Sequence, residues 1–315
     1  MVSGKPRVSV VIPAHNEESS IGECLKGILG QDYPEVEVIV VNDGSSDRTG
    51  EIARSTGVRV VDFGAGHSAA FARNAGAREA SGDILYFLDA DVLIKDKNFL
   101  SKLAEDFSEA EAVSFRVAPE EPKSFIQKCL AVQYPQWPFG GEKKVFSSMP
   151  ESSTVRGFQA IKRTVFLELG GFNEKIFYFE DRELHSRFYS KGYRVLYDPR
   201  LVMHSIDPSS WGEFVRQSRW TGRGVYEYYR QTGVLHVKAM VFWVLYLLSG
   251  VSSVLILPLP VFLLMNLLLL GWALKLAWKS GDLLHSLCFV VLHFARTVIA
   301  ATQFLSLLLF GGVRR

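Results

Sequence analysis

An α/β fold with a mostly parallel sheet, followed by an all-α hydrophobic region, is predicted by three features of the 315-residue chain. Runs of strand-forming residues alternate with helical patterns from Arg7 to Val117, as in successive βαβ units. Polar and acidic residues gather just after those runs, where a parallel sheet has its carboxyl edge and its ligand crevice. Beyond Leu235 the chain becomes greasy, with six Lys/Arg and one acid, Asp282.

Residues 7–12 form a β-branched run stopped by Pro13, and Ala14-His15-Asn16-Glu17-Glu18 leads into a helical pattern through Leu29. Residues 36–41 repeat the scheme and end at Asn42-Asp43-Gly44-Ser45-Ser46-Asp47, a Ser/Asp cluster able to cap the next helix. Residues 58–63 read as a third strand and residues 68–80 as a third helix. Then comes Gly82-Asp83-Ile84-Leu85-Tyr86-Phe87-Leu88-Asp89-Ala90-Asp91. Five apolar residues in a row read as a strand buried on both faces, with two acids where it ends. A helix over 98–107 and a strand over 112–117 continue the pattern.

The middle is less regular. Five prolines fall between Pro119 and Ser153, and Tyr134-Pro135-Gln136-Trp137-Pro138-Phe139-Gly140-Gly141 reads as an excursion or lid rather than a sheet element. A short helix over 163–169 ends at Gly170-Gly171, and a second over 179–190 carries Glu180 and Asp181 in its first turn, where carboxylates suit the dipole. Two short strands are expected over 193–197 and 201–204.

Residues 210–230 read as an amphipathic helix with Arg216, Arg219, Arg223 and Arg230 among Trp211, Phe214, Trp220, Tyr226, Tyr228 and Tyr229, a mixture suited to a membrane interface. No charge occurs from Ala239 to Leu274, too long for one helix across a hydrocarbon core of about 30 Å and suited to a hairpin broken at Pro258 and Pro260. Lys238, Lys275 and Lys279 would then share the cytoplasmic side. A third greasy stretch, 283–310, is interrupted by His293 and Arg296. The expected organisation is a catalytic domain over 1–209, an interface helix over 210–234 and a transmembrane region over 235–315 with two or three helices, multi-pass in the cell membrane.

Composition narrows the function classes. The net charge of +2 conceals 29 Lys/Arg and 32 Asp/Glu before Leu235, a mildly acidic part that makes nucleic acid an unsuitable partner. Three cysteines, Cys24, Cys129 and Cys288, show no zinc or disulfide spacing and read as buried thiols in a reducing compartment. The N-terminus lacks the apolar run of a signal peptide, which places the first domain on the cytoplasmic side.

The chemistry centres on Asp89 and Asp91. Two carboxylates this close repel unless a cation relieves them, and Mg²⁺ or Mn²⁺ also favours diphosphate oxygens; the plainer alternative is a solvated acidic turn. Pro13-Ala14-His15-Asn16-Glu17, Asp43-Gly44-Ser45-Ser46-Asp47, Ala72-Arg73-Asn74-Ala75-Gly76 and Asp89-Ala90-Asp91 all fall at strand ends or helix starts. With Gly170-Gly171-Phe172-Asn173-Glu174 and Glu180-Asp181, this set resembles the family 2 glycosyltransferases of the GT-A fold, a Rossmann-like α/β architecture, from about Arg7 to Arg230.

The resemblance implies an inverting glycosyltransferase using a nucleotide-sugar donor and Mg²⁺ or Mn²⁺. By it Pro13, Ala14, Asn16 and Glu17 line the nucleotide, Asp43 holds the base, Arg73 supports the nucleotide site, Asp89 and Ala90 lie by the ribose and Asp91 binds the metal. His204 resembles a histidine that reaches the metal or diphosphate in some relatives, or is a structural histidine. Asp181 is implied as the base, beside Glu180. Gln217-Ser218-Arg219-Trp220 resembles the Q-x-x-R-W acceptor motif of processive synthases with one spacer residue missing, which leaves Gln217, Arg219 and Trp220, together with Glu180, as acceptor or diphosphate contacts. The acceptor class is a lipid-linked glycan or other membrane-associated acceptor, with polyprenyl phosphate as an alternative. Two competing readings are a glycan-binding protein of the same fold and a dinucleotide enzyme, since Gly64-Ala65-Gly66-His67-Ser68-Ala69 formally satisfies G-x-G-x-x-A. That motif follows the third strand rather than the first.

Overall fold

The computed structural model describes residues 4–64, 66–134, 142–148, 159–176, 178–232 and 259–310. The chain divides into two compact units, Met1–Glu120 with Trp137–Ile206 and Glu121–Gln136 with Asp207–Arg315. In chain order the first unit begins with β1 (Val8–Ala14), α1 (Ile21–Leu29), β2 (Val36–Asp43), α2 (Thr49–Ser55), β3 (Arg59–Phe63) and α3 (Ala69–Glu79). It continues with β4 (Ile84–Phe87), β5 (Val92–Leu93), α4 (Phe99–Asp106) and β6 (Ala112–Pro119). The second unit takes α5 (Phe125–Ala131), the first resumes with β7 (Lys144–Phe146), β8 (Ala160–Lys162), α6 (Arg163–Glu168), α7 (Glu180–Ser190) and β9 (Val195–Ser205), and α8 (Trp211–Thr232), α9 (Leu259–Ser280) and α10 (Leu283–Phe310) follow in the second.

The sheet runs β3-β2-β1-β4-β8-β6-β9-β5, with β7 added on β9. β1, β2, β3 and β4 are parallel neighbours, and β6 and β9 also pair in parallel. β8 enters antiparallel between β4 and β6, so the sheet is mixed.

Several expected boundaries shift for local reasons. β1 runs through Pro13 to Ala14 instead of stopping before it, because pairing with β4 ends at Val11 while pairing with β2 continues to Ala14. A missing N–H is tolerated where one neighbour has dropped away. The two strands expected over 193–204 are one strand, β9, bent where its register against β6 jumps between Phe115 and Arg116, as a bulge does. The irregular middle contributes α5, β7 and β8, of which α5 opens with a reciprocal capping box between Ser124 and Gln127; residues 135–141 of the expected lid lie outside the described residues.

α3 sits close on β1 and β2. A Cβ on Gly76 would come within 2.3 Å of Val11 Cγ1 and 3.1 Å of Val41 Cγ2, so the helix approaches the sheet only because no side chain intervenes. Ser68 caps the helix by accepting from the Phe71 N–H. Val11, Val41, Leu85, Phe87, Phe166, Phe172 and Phe188 belong to the core beneath it.

In the second unit α8 and α10 approach backbone to backbone, since a Cβ on Gly222 would fall 2.2 Å from the Ala300 carbonyl oxygen. The Arg296 guanidinium lies 5.1 Å over the Phe214 ring and donates to Gln217 Oε1 at 3.1 Å. Leu130 of α5 and Val132 just after it share a cluster with Phe214, Ala273, Leu276, Phe289 and Val290. Leu283–Leu308 is the one segment among the described residues long and apolar enough to cross a membrane, with 17% of its most apolar window buried. Residues 239–258 of the expected hairpin lie outside the described residues, while α9 starts at Leu259 with Pro260 in its first turn, a position that tolerates proline. Cys24 and Cys129 are buried as expected, whereas Cys288 is only partly covered.

Gly76→Ala is expected to lower stability by about 1–3 kcal/mol through overpacking against Val11 and Val41. Gly64→Ala, whose added Cβ meets nothing within 4 Å, serves as the control. Thermal melts that shift equally for both would show that the α3–sheet approach is not what Gly76 secures.

Candidate active site

Two turns at the carboxyl edge of the sheet are laced together. Asn16, in the left-handed region at φ 59, accepts from Ser46 N–H at 2.8 Å and receives Ser45 Oγ as the acceptor of its own N–H at 3.0 Å. Glu17 N–H donates to Thr49 Oγ1 at 2.7 Å and Glu18 N–H to Asp47 Oδ2 at 3.1 Å. Asp47 also accepts from the N–H of Thr49, the first residue of α2, at 3.0 Å, while the N-cap position itself is Arg48 rather than a Ser or Asp of the cluster. The turn after β1 and the turn after β2 therefore form one rigid rim.

Asp43, the last residue of β2, is 6% exposed. Its Oδ2 accepts from the His67 N–H at 2.7 Å and its Oδ1 from His67 Nδ1–H at 2.8 Å. Its carbonyl accepts from His15 Nδ1–H at 2.7 Å. A carbonyl can only accept, so the His15 proton sits on Nδ1 and Nε2 is left to accept from Asn16 Nδ2 at 3.1 Å.

Arg73 on α3 joins the two acidic motifs. Its Nη2 meets Asp89 Oδ1 at 2.8 Å and its Nη1 meets Glu180 Oε1 at 2.7 Å, while its guanidinium stands 5.6 Å over the Phe172 ring. Asp89 is open to solvent and Glu180 mostly covered, at 56% and 13% side-chain exposure. Burial raises the Glu180 carboxyl above its ordinary value, against the pull of Arg73. Burial likewise raises Glu17, with Asp89 and Asp47 adding to it and the Ser20 hydroxyl opposing.

Asp181 is the second residue of α7, and its Oδ1 accepts from the Arg182 N–H at 2.7 Å. The helix starts from Phe179 at φ 67, left-handed for a bulky residue, a conformation that costs energy and sets the direction in which α7 leaves. The buried His185 lies one turn further along; burial pushes its imidazole down to about 4, with Asp181 opposing.

Asp91 precedes β5, whose Leu93 pairs with His204 and whose Val92 pairs with Ser205 on β9, and the Asp91 carbonyl accepts from Ile206 N–H at 3.1 Å. The chain fold thus brings the strand carrying His204 to the residues following Asp91. The His204 ring stands 3.5 Å from the Pro119 carbonyl. Among the described residues no three metal-ligating side chains converge. Two carboxylates with phosphate oxygens nonetheless suit Mg²⁺ or Mn²⁺, which usually take one or two protein carboxylates and complete their shell from substrate and water.

In the first unit Pro13, Ala14 and Asp43 lie at strand ends, Asn16 and Glu17 in the turn after β1, Arg73 within α3, Asp89, Ala90 and Asp91 between β4 and β5, and Glu180 and Asp181 in the first turn of α7. Gln217, Arg219 and Trp220 lie on α8 of the second unit, with the Gln217 side chain bound to Arg296. His67 was passed over in the sequence because its glycine-rich surroundings read as a dinucleotide motif. In the structure a Cβ on Gly66 would stand 3.3 Å from His15 Cε1 and 3.5 Å from the Asp43 carbonyl, so that glycine serves the Asp43 turn.

Comparison with known proteins places this geometry. A probable glycosyltransferase, YdaM, of Bacillus subtilis is 33% identical over 235 residues, covering 68% of this chain and 54% of the relative. A poly-beta-1,6-N-acetyl-D-glucosamine synthase of Staphylococcus epidermidis is 27% identical over 226 residues, covering 69% and 54%. The chain spans about half the length of these curated relatives. Among solved structures, the mannosyltransferase PcManGT from Pyrobaculum calidifontis in complex with GDP-Man and Mn²⁺ aligns with a TM-score of 0.61 at 21% identity, over 96% of this chain and 88% of that one. TarS 1-349 of S. aureus in complex with UDP-GlcNAc aligns with a TM-score of 0.53 at 17% identity, over 95% and 91%. These likenesses give the fold, a GT-A-like α/β domain with a mostly parallel sheet followed by a helical region. The model of the family described as glycosyl transferase family 2 matches residues 9–170, and the chain belongs to that family.

Proposed function

We propose that the chain is a membrane-anchored inverting glycosyltransferase that moves a sugar from a nucleotide-sugar donor to a lipid-linked glycan or other membrane-associated acceptor. The observation that carries this reading is the Arg73 bridge between Asp89 and Glu180 beside the laced turns. It puts one fixed guanidinium and several carboxylates at the carboxyl edge of the sheet, where nucleotides bind in such folds. Structural neighbours in complex with GDP-Man and with UDP-GlcNAc support the donor class. The competing dinucleotide reading is opposed by the family match over residues 9–170 and by the place of its glycine motif after β3 rather than β1.

In this reading Pro13, Ala14, Asn16, Glu17 and Asp43 line the nucleoside, with Asp89 and Ala90 at the ribose. Asp91 would hold Mg²⁺ or Mn²⁺ with His204 within the same strand pairing, and the cation would supply charge neutralisation for the diphosphate. Arg73 holds Asp89 in place and opposes the rise that burial imposes on the Glu180 carboxyl. The acceptor hydroxyl attacks the anomeric carbon from the face opposite the leaving group. Its oxygen–carbon bond forms as the carbon–diphosphate bond breaks, and its proton passes to Asp181. Arg219 and Trp220 on α8 suit a diphosphate oxygen and a sugar face respectively.

Asp91→Asn is expected to abolish metal-dependent donor hydrolysis and transfer with an unchanged melt, because the amide lacks the charge a divalent cation requires. A panel of nucleotide sugars assayed with Mg²⁺, Mn²⁺ and chelator tests this and identifies the donor. Full activity of the variant, or of the wild type in excess chelator, would remove the metal from the reading.

Asp181→Asn is expected to keep the melt and the donor affinity while transfer falls by at least about a hundredfold, the scale of general-base catalysis. Asn presents the same side-chain oxygen to the Arg182 N–H, so stability does not confound the result. Near-normal transfer would reduce Asp181 to a helix-start residue and point to an acceptor already anionic, such as a polyprenyl phosphate.

The anchor rests on α10, whose candidate span covers 26 residues, and on the exposed apolar residues Leu267, Leu268, Leu274 and Trp278 of α9. The full chain is expected in the membrane fraction after carbonate washing, since segments of that length are held by hydrocarbon and not by charge. Recovery as a monodisperse protein without detergent would refute it.

A further inference from the structure

We propose that His67 is a positioning residue for nucleobase recognition: by holding both oxygens of Asp43, it presents that carboxylate to a base carrying a ring N–H and so sets which nucleoside diphosphate the site accepts. This rests on the reading of Asp43 as the base-holding residue.

His67 grips Asp43 like a fork. Its N–H takes Oδ2 at 2.7 Å and its ring Nδ1–H takes Oδ1 at 2.8 Å, so the carboxylate cannot rotate without breaking one of them. The ring itself is held. It stacks on Phe71 of α3 with centroids 4.1 Å apart and planes 20° apart, and it meets the edge of Phe63 at the end of β3 at 5.8 Å. Phe63 and Phe71 pack edge to face at 4.8 Å. From the other side His15 fixes the Asp43 carbonyl at 2.7 Å. Two histidines from different loops therefore immobilise one buried aspartate from its main chain and from its side chain.

Folding asks for less than this. The turn between β3 and α3 is already closed by the His67 N–H, which any residue would supply, and α3 is already capped by Ser68. The ring hydrogen bond is additional, and it comes from an imidazole with 42% of its side chain exposed. Its effect falls on Asp43 alone.

The chemistry then selects the ligand. A carboxylate oxygen has two lone-pair directions, so each Asp43 oxygen keeps one after His67 has taken the other. An acceptor-only group asks the base for N–H donors. Uracil offers its ring N–H, and guanine offers a ring N–H beside an amino group, which can span both oxygens as a bidentate pair. Adenine and cytosine set an unprotonated ring nitrogen beside their amino group, and its lone pair would face a carboxylate lone pair. A fixed carboxylate discriminates between these sets more sharply than a mobile one, because the orientation is not reorganised on binding.

Titration calorimetry of UDP, GDP, CDP and ADP against the full-length chain in detergent, at one Mn²⁺ concentration, tests this. The wild type is expected to bind UDP or GDP at least about tenfold more tightly than CDP and ADP, the scale of one charge-assisted hydrogen bond. His67→Ala and His67→Phe, the second of which keeps the stacking on Phe71, are expected to lose most of that margin while retaining the melt. His67→Asn, whose side-chain amide can donate to Asp43, is expected to recover part of it. The phenylalanine and asparagine variants decide the matter by themselves if alanine does not fold. A wild-type margin in His67→Phe, or an equal loss for all four nucleotides, would overturn the proposal. Asp43→Asn separates the two readings: loss of the margin there with retention in the His67 variants leaves Asp43 as the base-holding residue and removes His67. Retention in both removes Asp43 from base recognition.

Discussion

The close seating of α3 on the sheet is the constraint on which the rest of the first unit depends. Gly76 lets the helix rest directly on Val11 and Val41, and Arg73, one turn earlier on the same helix, is thereby carried to the carboxyl edge. There it reaches Asp89 at the end of β4 and Glu180 at the start of α7. A thicker residue at Gly76 would lift that turn by a few tenths of an ångström or more, and hydrogen bonds of 2.7–2.8 Å to two separate elements leave little slack. Packing beneath the helix and chemistry above it are one arrangement.

The same logic holds for the turns. Several main-chain N–H groups of the loops after β1 and β2 find a side-chain oxygen on the neighbouring loop: Ser46 on Asn16, Glu17 on Thr49, Glu18 on Asp47. Polar satisfaction of this kind orders loops that contribute almost nothing to the apolar core. It sets the buried Asp43 beside a rigid rim whose order a ligand does not have to supply on binding. Further from the site a buried ionic cluster performs a comparable service. Lys143 meets Asp106 at 2.5 Å and Arg200 meets Asp198 at 2.6 Å, tying the approach to β7 to α4 and to the bend of β9.

The second unit solves a different problem. Arg296 is a charge within a helix apolar enough to span a bilayer, and it is turned toward α8, over Phe214 and onto Gln217. In the membrane-anchored reading a cation so placed avoids the hydrocarbon-facing side of its helix, where it would be expensive. Gln217 is consequently engaged in helix packing, while Arg219 and Trp220 on the same helix remain exposed. Leu130, Val132 and Phe214 share their cluster with α9 and α10, so a fragment cut after Arg230 would uncover them.

What the amino-acid order determined by itself is the alternation of strands and helices and the sites where chemistry gathers, because both follow from local rules. Apolar runs of strand length, capping residues and paired acids at strand ends are readable wherever neighbours in sequence are neighbours in space. Asp89 and Asp91 are legible as candidates in this way, while Asp43, Arg73, Glu180 and Asp181 are reached through the resemblance of their motifs to a known family. Tertiary structure alone decided which of them meet. Arg73 pairs with Glu180 across 107 positions, β8 inserts antiparallel between β4 and β6 from a region that looks irregular, and two expected strands fuse into β9 around a bend. His67 belongs to this second class: its glycine-rich neighbourhood carries no periodic signal, and only the packing of β3 and α3 beside β2 sets its imidazole against Asp43. Contacts between distant segments depend on the whole core being formed, and no window of the chain contains that information.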